Sequence, residues 1–349
     1  MTIEISGHSI GPDYPPFIIA EMSGNHNQSL DRALQIVEAA AKSGADAIKL
    51  QTYTADTMTL NERGGEFEID DPESLWSGKN LHDLYKSAYT PWEWHQSIMD
   101  RAAELGLICF SSPFDETAVD FLDDLGVPAF KIASFENNHL PLISKAASTG
   151  KPLIISTGMA SLAELDRAVS TAQEAGCEQL VLLKCTSTYP ATPQNSNICT
   201  IPHLRELFGH EVGLSDHTMG IGAAVAAVAL GATVVEKHFT LSRADGGVDS
   251  AFSLEPNELA SLVNETERAW QALGKVHYGP TETEKKSLIF RRSIYVAADI
   301  EEGELFTAKN LRIVRPGHGA PPWLLDKLLG RKARRNFKAG TPLSLDQIL

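Results

Sequence analysis

The stretch from Phe17 to Gln51 reads FIIAEMSGNHNQSLDRALQIVEAAAKSGADAIKLQ, and it decides the fold. It opens with an apolar run, Phe17–Glu21, which predicts a buried strand. An amphipathic pattern over Leu30–Ser43 predicts a helix, and Ala45–Gln51 predicts a second strand. A strand, a helix and a strand in this order form the repeating unit of parallel sheets.

The same alternation returns along the chain until eight strands are predicted. The further apolar runs are Leu107–Ser112, Ala129–Ser134, Pro152–Thr157, Leu180–Thr186, Glu211–Ser215 and Ala232–His238. Helical patterns between them include Pro91–Leu105, Glu116–Leu125, Leu140–Thr149, Leu162–Ala175 and Gly222–Leu230. Eight such units predict a parallel (β/α)8 TIM barrel in the α/β class.

Local signals refine this pattern. Thr90-Pro-Trp-Glu93 and Ser161-Leu-Ala-Glu164 each predict a capping box at a helix start. The long polar segment Gly64–Lys86, called the insertion below, stands where a simple connection is expected and predicts a lid or a substrate wall.

The length of 349 residues suits a barrel of about 250 residues followed by a small domain. We predict a barrel domain at 1–280, a linker at 281–290 and a small β-rich domain at 291–349. A weak repeat supports the last domain, because Ile300–Thr307 followed by Leu311 resembles Phe337–Ser344 followed by Ile348.

Composition excludes several classes of function. A formal net charge of −15 disfavours nucleic-acid binding, and no apolar run approaches the ~20 residues of a membrane span. The first 16 residues lack a signal-peptide pattern, so we expect a cytoplasmic protein. The four cysteines form no C-x-x-C pair, which argues against a zinc knuckle or a disulfide framework.

Polar residues end nearly every predicted strand, and the carboxyl ends of barrel strands are where active sites form. Alternation places Lys49 with Gln51, and Glu236 with His238, on the side of their strands that faces the barrel axis. The other strand-end candidates are Glu21, Ser112, Lys131, Ser134, Glu136, Ser187, Tyr189, Ser215 and His217. Singly, any of these could be a solvated loop residue, but together they indicate a site.

Two smaller groups suggest specific chemistry. His217 and His238 end adjacent strands and could bind one divalent cation, although each could instead be a hydrogen-bonded core histidine. Lys49 and Lys131, set among serines, could bind a phosphate and a carboxylate, or could be surface charges. The chain has no P-loop and no Gly-x-Gly-x-x-Gly after a strand, which disfavours nucleotides.

Seven motifs follow one another along the chain: Phe17-Ile-Ile-Ala-Glu21, Ala47-Ile-Lys-Leu-Gln51, Phe110-Ser-Ser-Pro-Phe114, Lys131-Ile-Ala-Ser134, Ser156-Thr-Gly-Met159, Gly213-Leu-Ser-Asp-His217 and Glu236-Lys-His-Phe-Thr240. Their order resembles that of the sialic acid synthase (nonulosonate synthase) family. The tail with Arg315-Pro-Gly-His-Gly319 resembles the antifreeze-like (SAF) β-clip domain of that family. The chain therefore resembles this family over nearly its whole length.

The resemblance implies a metal-assisted condensation of phosphoenolpyruvate with the open-chain aldehyde of an N-acetylated amino sugar. It implies a divalent cation on His217 and His238, with Mn²⁺ expected and Mg²⁺ or Co²⁺ as alternatives. Implied phosphoenolpyruvate contacts are Lys49, Ser112, Lys131, Ser134 and Ser215, and implied sugar contacts are Glu21, Gln51, Tyr189 and Asp249. Arg315 resembles the arginine that this domain inserts into a neighbouring subunit, so a domain-swapped homodimer is expected.

The same resemblance bears on catalysis and substrate. Glu136 is our candidate for activating the water that adds to C2, with Glu21 and the two histidines as further catalytic residues. The stretches 76–80, 89–94 and 242–252, with small Ser187, resemble the branch of the family that uses 2,4-diacetamido-2,4,6-trideoxy-L-altrose. Synthesis of sialic or legionaminic acid, a metal-dependent aldolase, and a non-enzymatic sugar- or ice-binding module are the alternatives.

Overall fold

A computed structural model of the protein describes residues 2–347, and its first unit is a closed barrel of eight parallel strands. An antiparallel hairpin of β1 (Ile3–Ile5) and β2 (His8–Ile10) precedes the barrel. The barrel strands are β3 (Phe17–Glu21), β4 (Ala47–Thr52), β5 (Ile108–Pro113), β6 (Phe130–Ile132), β7 (Leu153–Ser156), β8 (Leu180–Cys185), β9 (Glu211–Asp216) and β10 (Val234–His238). They pair in chain order, and β10 closes the barrel against β3. The predicted TIM barrel is confirmed.

Helices alternate with these strands. They are α1 (Leu30–Lys42), α2 (Ala55–Met58), α3 (Leu81–Ala88), α4 (His95–Glu104), α5 (Glu116–Asp124), α6 (Leu140–Ala147), α7 (Leu162–Glu174), α8 (Thr200–Phe208), α9 (Gly222–Ala229) and α10 (Pro256–Leu273). The insertion adds a short 3-10 helix at Gly65–Phe67 and contributes α3. Within residues 2–347, no helix is both long and apolar enough to cross a bilayer.

The barrel interior has an apolar lower part and a charged upper part, and the two-residue period of a strand explains why. Phe17 and Ile19 of β3 belong to the apolar cluster inside the barrel, and Glu21 has the same parity at the end of that strand. In β10 the same two-residue period places Glu236 and His238 on the face that begins with Val234, a member of the apolar cluster. The axis-facing side chains therefore become polar only where the strands end.

The two predicted capping boxes had different outcomes. Ser161 accepts a hydrogen bond from the Glu164 backbone N–H, and Glu164 binds back to Ser161, so this box is confirmed. The box at Thr90 is wrong, because α4 starts without a side-chain cap and follows a 3-10 helix at Trp92–Trp94. The Thr90 hydroxyl lies 3.3 Å from His26 Nε2 instead, so it joins two buried segments rather than a helix end.

The second unit, residues 275–349 in its described part, has a core of its own. Its strands β11 (Ser293–Val296) and β12 (Leu311–Val314) pair antiparallel, and a short helix, α11, spans Leu325–Leu328. The two predicted repeats meet in an antiparallel bridge between Ile300 and Phe337, while Ile348 lies outside the described residues. The chain divides after Gly274, and the predicted linker 281–290 overlaps a 3-10 helix at Glu284–Phe290.

Candidate active site

Four charged side chains from four strands meet at the barrel axis. Lys49 forms an ion pair with Glu21, and its Nζ lies 3.9 Å from Glu236 Oε2. Lys131 Nζ lies 3.6 Å from Glu236 Oε1, which links the two lysines through one carboxylate. All four side chains are buried. We call them the charged cluster, and its formal charge is zero when every member is ionised.

In this cluster the attraction between opposite charges competes with burial, which favours the neutral form of each group. Burial alone would lower the pKa of Lys49, but Glu21 and Glu236 raise it above its ordinary value. Burial likewise opposes the charge on Glu236, yet Lys131 and Lys49 hold the pKa of Glu236 below its usual range. For Glu21 burial prevails and raises the pKa, and for Lys131 burial lowers it. Glu21 and Lys131 are therefore the members whose charge is easiest to change.

Serine hydroxyls surround both lysines. Lys49 Nζ donates to Ser112 Oγ at 3.4 Å, and Lys131 Nζ donates to Ser156 Oγ at 2.7 Å. Ser215 Oγ donates to Glu236 Oε1 at 3.1 Å. The lysines are thus buried and not surface charges, and the partners that the structure gives them are carboxylates and hydroxyls.

A turn after β7 brings two further hydroxyls together. A Cβ atom added at Gly158 would overlap Ser187 Oγ and lie 2.7 Å from Ser134 Oγ, so the backbone passes directly against both serines. Asn137 Nδ2 holds this turn by donating to the carbonyl oxygens of Ser156, at 3.3 Å, and Gly158, at 3.0 Å. Only glycine allows the backbone to approach both serine side chains this closely.

A cavity of about 680 Å³ opens above the strand ends. Seven of the predicted site residues line it: Gln51, Ser134, Glu136, Ser187, Tyr189, His238 and Asp249. The insertion forms another side of the cavity, as its predicted role as a substrate wall requires. Glu21 is not among the lining residues of the described chain, because it is buried in the ion pair with Lys49.

Glu136 presents a carboxyl group at the edge of this cavity. It ends a short 3-10 helix, Ser134–Glu136, that follows β6. Burial raises the pKa of Glu136 to about 7, although Lys131 acts to lower it. Within residues 2–347 its buried Oε2 has no hydrogen-bond partner. Such a carboxyl group can accept a proton near neutral pH.

His217 and His238 form a pair, with ring centroids 5.3 Å apart. His217 Nδ1 lies 2.9 Å from the Thr186 carbonyl oxygen, so Nδ1 carries the proton and Nε2 is left with a lone pair. His238 Nδ1 is buried without a hydrogen bond in the described chain, and Asp249 Oδ2 lies 3.9 Å from it. Burial and the neighbouring His217 keep the pKa of His238 well below its ordinary value, so the ring is neutral.

This histidine pair fits a divalent cation with few protein ligands. The neutral His238 ring offers a nitrogen lone pair, and the Thr186 carbonyl orients the His217 ring as in many metal sites. Burial acts to lower the pKa of His217, but hydrogen bonds to Cys185 and Thr186 raise it above its ordinary value, so this ring can bind a cation only in its neutral form. Among residues 2–347, no group of three or more His, Cys, Asp or Glu side chains is placed to hold a metal ion. A cation held by His217 and His238 would keep positions open for water and substrate.

The aromatic and acidic residues beside the histidines are also fixed. The Tyr189 ring lies 4.5 Å from the His217 ring, and Ser23 Oγ donates to Asp249. Arg315 is exposed and directly follows β12 in the second unit. The structure thus gathers thirteen of the fourteen predicted site residues in the barrel unit and places Arg315 in the other unit.

Comparison with known proteins identifies the family. A profile of the NeuB family matches residues 36–278, and a SAF domain profile matches residues 291–349. The chain belongs to the NeuB family. A relative named pseudaminic acid synthase, from Campylobacter jejuni, is 45% identical over 95% of this chain and 96% of its own length. A relative named N,N'-diacetyllegionaminic acid synthase, from Legionella pneumophila, is 37% identical over 95% of this chain and 94% of its own.

A solved structure extends the NeuB family comparison to three dimensions. N-acetylneuraminic acid (sialic acid) synthetase from Leptospira borgpetersenii superposes with a TM-score of 0.73 at 33% identity. The match covers 82% of this chain and 95% of that protein. The barrel is therefore the fold that the NeuB family uses.

Two residues of the site had no assigned role in the sequence-based predictions. Ser156 accepts a hydrogen bond from Lys131, and the Gly158 backbone passes directly against Ser134 and Ser187. Both belong to the motif Ser156-Thr-Gly-Met159, but the motif does not show these contacts, because the partners lie elsewhere in the chain. Glu236 was predicted as a strand-end residue facing the axis, and the structure shows that it joins the two lysines.

Proposed function

We propose that the protein condenses phosphoenolpyruvate with 2,4-diacetamido-2,4,6-trideoxy-L-altrose to give pseudaminic acid and inorganic phosphate. The observation that carries this proposal is the 45% identity to a pseudaminic acid synthase over nearly the full length of both chains. The lower identity to a legionaminic acid synthase makes that related reaction the second candidate.

In this proposal the charged cluster binds phosphoenolpyruvate. Lys49 and Lys131, with the hydroxyls of Ser112, Ser134 and Ser215, hold its phosphate and carboxylate. Both lysines already have carboxylate partners, so the ligand must enter a site of zero formal charge. The raised pKa of Glu21 resolves this, because a protonated Glu21 leaves Lys49 free to pair with the ligand.

The cavity binds the amino sugar beside that anion. Gln51, Ser187, Tyr189 and Asp249 line it and offer hydrogen bonds to the sugar. His217 and His238 would hold a divalent cation, Mn²⁺ or alternatively Mg²⁺ or Co²⁺, which would supply Lewis-acid activation of the sugar aldehyde.

Glu136 acts as a general base after C3 of phosphoenolpyruvate has attacked the aldehyde carbon of the sugar. Formation of the new carbon–carbon bond leaves positive charge at C2, next to the bridging oxygen of the phosphate. Glu136 takes a proton from a water molecule, whose oxygen bonds to C2 as a hydroxyl group, and the alkoxide formed from the aldehyde oxygen takes up one proton. The C2–O bond to phosphate then breaks, the C2 hydroxyl loses its proton as the ketone forms, and phosphate leaves with the bridging oxygen and the electron pair of the broken bond. No redox partner is needed.

The functional unit in this proposal is a domain-swapped homodimer. Arg315 lies in the SAF domain, is exposed, and has a positive charge that suits a site for an anionic substrate. We infer that it completes the site of a neighbouring subunit, as the family resemblance implies.

Phosphate release with a panel of sugars tests the function. The protein is incubated with phosphoenolpyruvate, Mn²⁺ and one sugar at a time: the diacetamido-trideoxy-altrose, its legionaminic acid counterpart, or N-acetylmannosamine. We expect phosphate and a product of matching mass with the first sugar. Release only with another sugar would reassign the substrate, and no release with any sugar would refute the synthase function.

Removal of a histidine tests the metal site. We expect Mn²⁺ to raise the melting temperature of the wild-type protein, since a ligand that binds the folded state stabilises it. His217→Ala and His238→Ala should each lose this shift and their turnover. An unchanged Mn²⁺ shift in both variants would place the cation elsewhere.

A further inference from the structure

The side of the cavity opposite the strand ends is apolar, and the insertion builds most of it. Leu75, Trp76, Leu81, Leu84 and Tyr85 line this side. Leu75 differs from the others because 45% of its side chain remains exposed. An exposed leucine inside a cavity contributes little to folding, whereas a ligand that covers it gains about 25 cal/mol for each Å² of apolar surface removed from water.

This apolar wall is held in a defined place. Trp76, next to Leu75, donates its Nε1–H to the Val248 carbonyl oxygen at 3.0 Å, and its ring lies 5.8 Å from that of Tyr189. Tyr189 in turn contacts the His217 ring. The wall therefore lies beside Tyr189, the residue that also contacts His217, on a segment attached to the loop after β10.

The chemistry fixes which end of the sugar meets this wall. The aldehyde carbon, C1, must reach the strand ends, where Glu136 and His238 line the cavity. An open-chain sugar that enters C1 first leaves C4 to C6 directed towards the insertion. A hydroxyl group placed against Leu75 and Trp76 would lose hydrogen bonds to water, whereas a methyl group would not.

Two carboxylates lie on this otherwise apolar side of the cavity, and an acetamido group would suit both kinds of neighbour. Asp71 and Glu73 also line this side of the cavity, and both are exposed. A carboxylate accepts hydrogen bonds and donates none when ionised. An acetamido group presents an N–H to such an acceptor and a methyl group to an apolar side chain, so one substituent satisfies both features of the wall.

We propose that Leu75 is a specificity-determining residue, which contacts the C4–C6 end of the sugar and favours an acetamido or methyl substituent there over a hydroxyl group. This inference rests on the proposed function and assigns to the insertion the choice among amino sugars. In the proposed function Lys49 and Lys131, with Ser112, Ser134 and Ser215, contact phosphoenolpyruvate and do not make this choice.

Leu75→Ala is compared with a matched variant, Leu60→Ala. Leu60 is 65% exposed and does not line the cavity, so its truncation controls for loss of a surface leucine near the insertion. We expect Leu75→Ala to lower kcat/KM for the diacetamido-trideoxy sugar roughly tenfold, as loss of apolar contact in a pocket does. The KM for phosphoenolpyruvate and the Ki of N-acetylmannosamine as a competitor should change less than twofold. Leu60→Ala should match wild type, and Leu75→Met should retain most of the activity.

Three results would overturn the inference. They are an unchanged kcat/KM in Leu75→Ala, an equal loss in Leu60→Ala, or an equal weakening of N-acetylmannosamine and the diacetamido sugar. Wild-type protein that releases no phosphate with the diacetamido sugar would instead refute the proposed function itself. The two failures are therefore distinguishable in one set of assays.

Discussion

Glu136→Gln is expected to lower kcat by about 10² to 10⁴-fold, the usual contribution of a positioned acid–base group. The amide has nearly the shape of the carboxylate but cannot take a proton from water. Binding of phosphoenolpyruvate should survive, because the charged cluster does not include Glu136. Steady-state kinetics with the sugar and a thermal-shift titration with phosphoenolpyruvate measure the two effects separately.

The pH dependence of the same variant gives a second sign of its role. Burial raises the pKa of Glu136 from 4.5 to about 7, so wild-type kcat should fall as pH drops through 7 and the base becomes protonated. Because the pKa of this carboxyl group is raised in the folded state, the folded protein binds the proton more tightly than the unfolded chain does. The stability that this proton contributes is lost as the pH rises through 7. Glu136→Gln should therefore resist urea better than wild type at pH 8.

The exposed Glu174 at the end of α7 provides the control. Glu174→Gln should leave kcat and the urea midpoint unchanged. Near-normal kcat in Glu136→Gln would remove Glu136 from the mechanism, whatever the stability measurement shows.

Lys237→Met is expected to cost about 3–5 kcal/mol of stability, as does the loss of one partner from a buried ion pair. Lys237 has only 1% of its surface exposed, and its Nζ donates to Asp216 Oδ2 at 2.9 Å. The same Nζ donates to the carbonyl oxygens of Thr218 and Gly220 at 2.6 and 2.8 Å. Methionine fills a similar volume but removes the Nζ donor from the buried Asp216 Oδ2 and from two carbonyl oxygens.

An exposed ion pair supplies the matched control. Lys145 pairs with Asp120 at 2.6 Å, but their side chains are 37% and 63% exposed. Lys145→Met should therefore shift the urea midpoint far less than Lys237→Met does, because water already screens this pair. Urea unfolding of the two variants, followed by circular dichroism, measures the difference. Equal urea midpoints for Lys237→Met and Lys145→Met would mean that the hydrogen bonds of Lys237 do not hold the loop after β9 against β10.

The sequence predicted the barrel because the information is local. Eight apolar runs of strand length, separated by amphipathic patterns, are visible without any long-range contact. Alternation along each strand also placed Lys49 and Glu236 on the axis correctly. The polar rim of the barrel was predictable for the same reason.

The contacts inside the site were not predictable, because they join residues far apart in the chain. Ser156 meets Lys131 on the neighbouring strand, and Lys237 meets Asp216 on the neighbouring strand but on the outer side of the sheet. The capping box predicted at Thr90 was wrong for the opposite reason: the local sequence pattern is present, but the Thr90 hydroxyl contacts His26 and does not cap the helix. The insertion was predicted as a substrate wall, but Leu75 itself was not singled out, because exposure within a cavity is a property of the fold.

Transfer of an oxygen label tests the central claim most directly. The reaction is run with phosphoenolpyruvate that carries ¹⁸O in the bridge between C2 and phosphorus, together with Mn²⁺ and the diacetamido-trideoxy sugar. Because water adds to C2 before the C2–O bond breaks, we predict that the label appears in inorganic phosphate and not in the nine-carbon product. Label retained in the organic product would show cleavage at phosphorus, and it would contradict condensation through addition of water at C2.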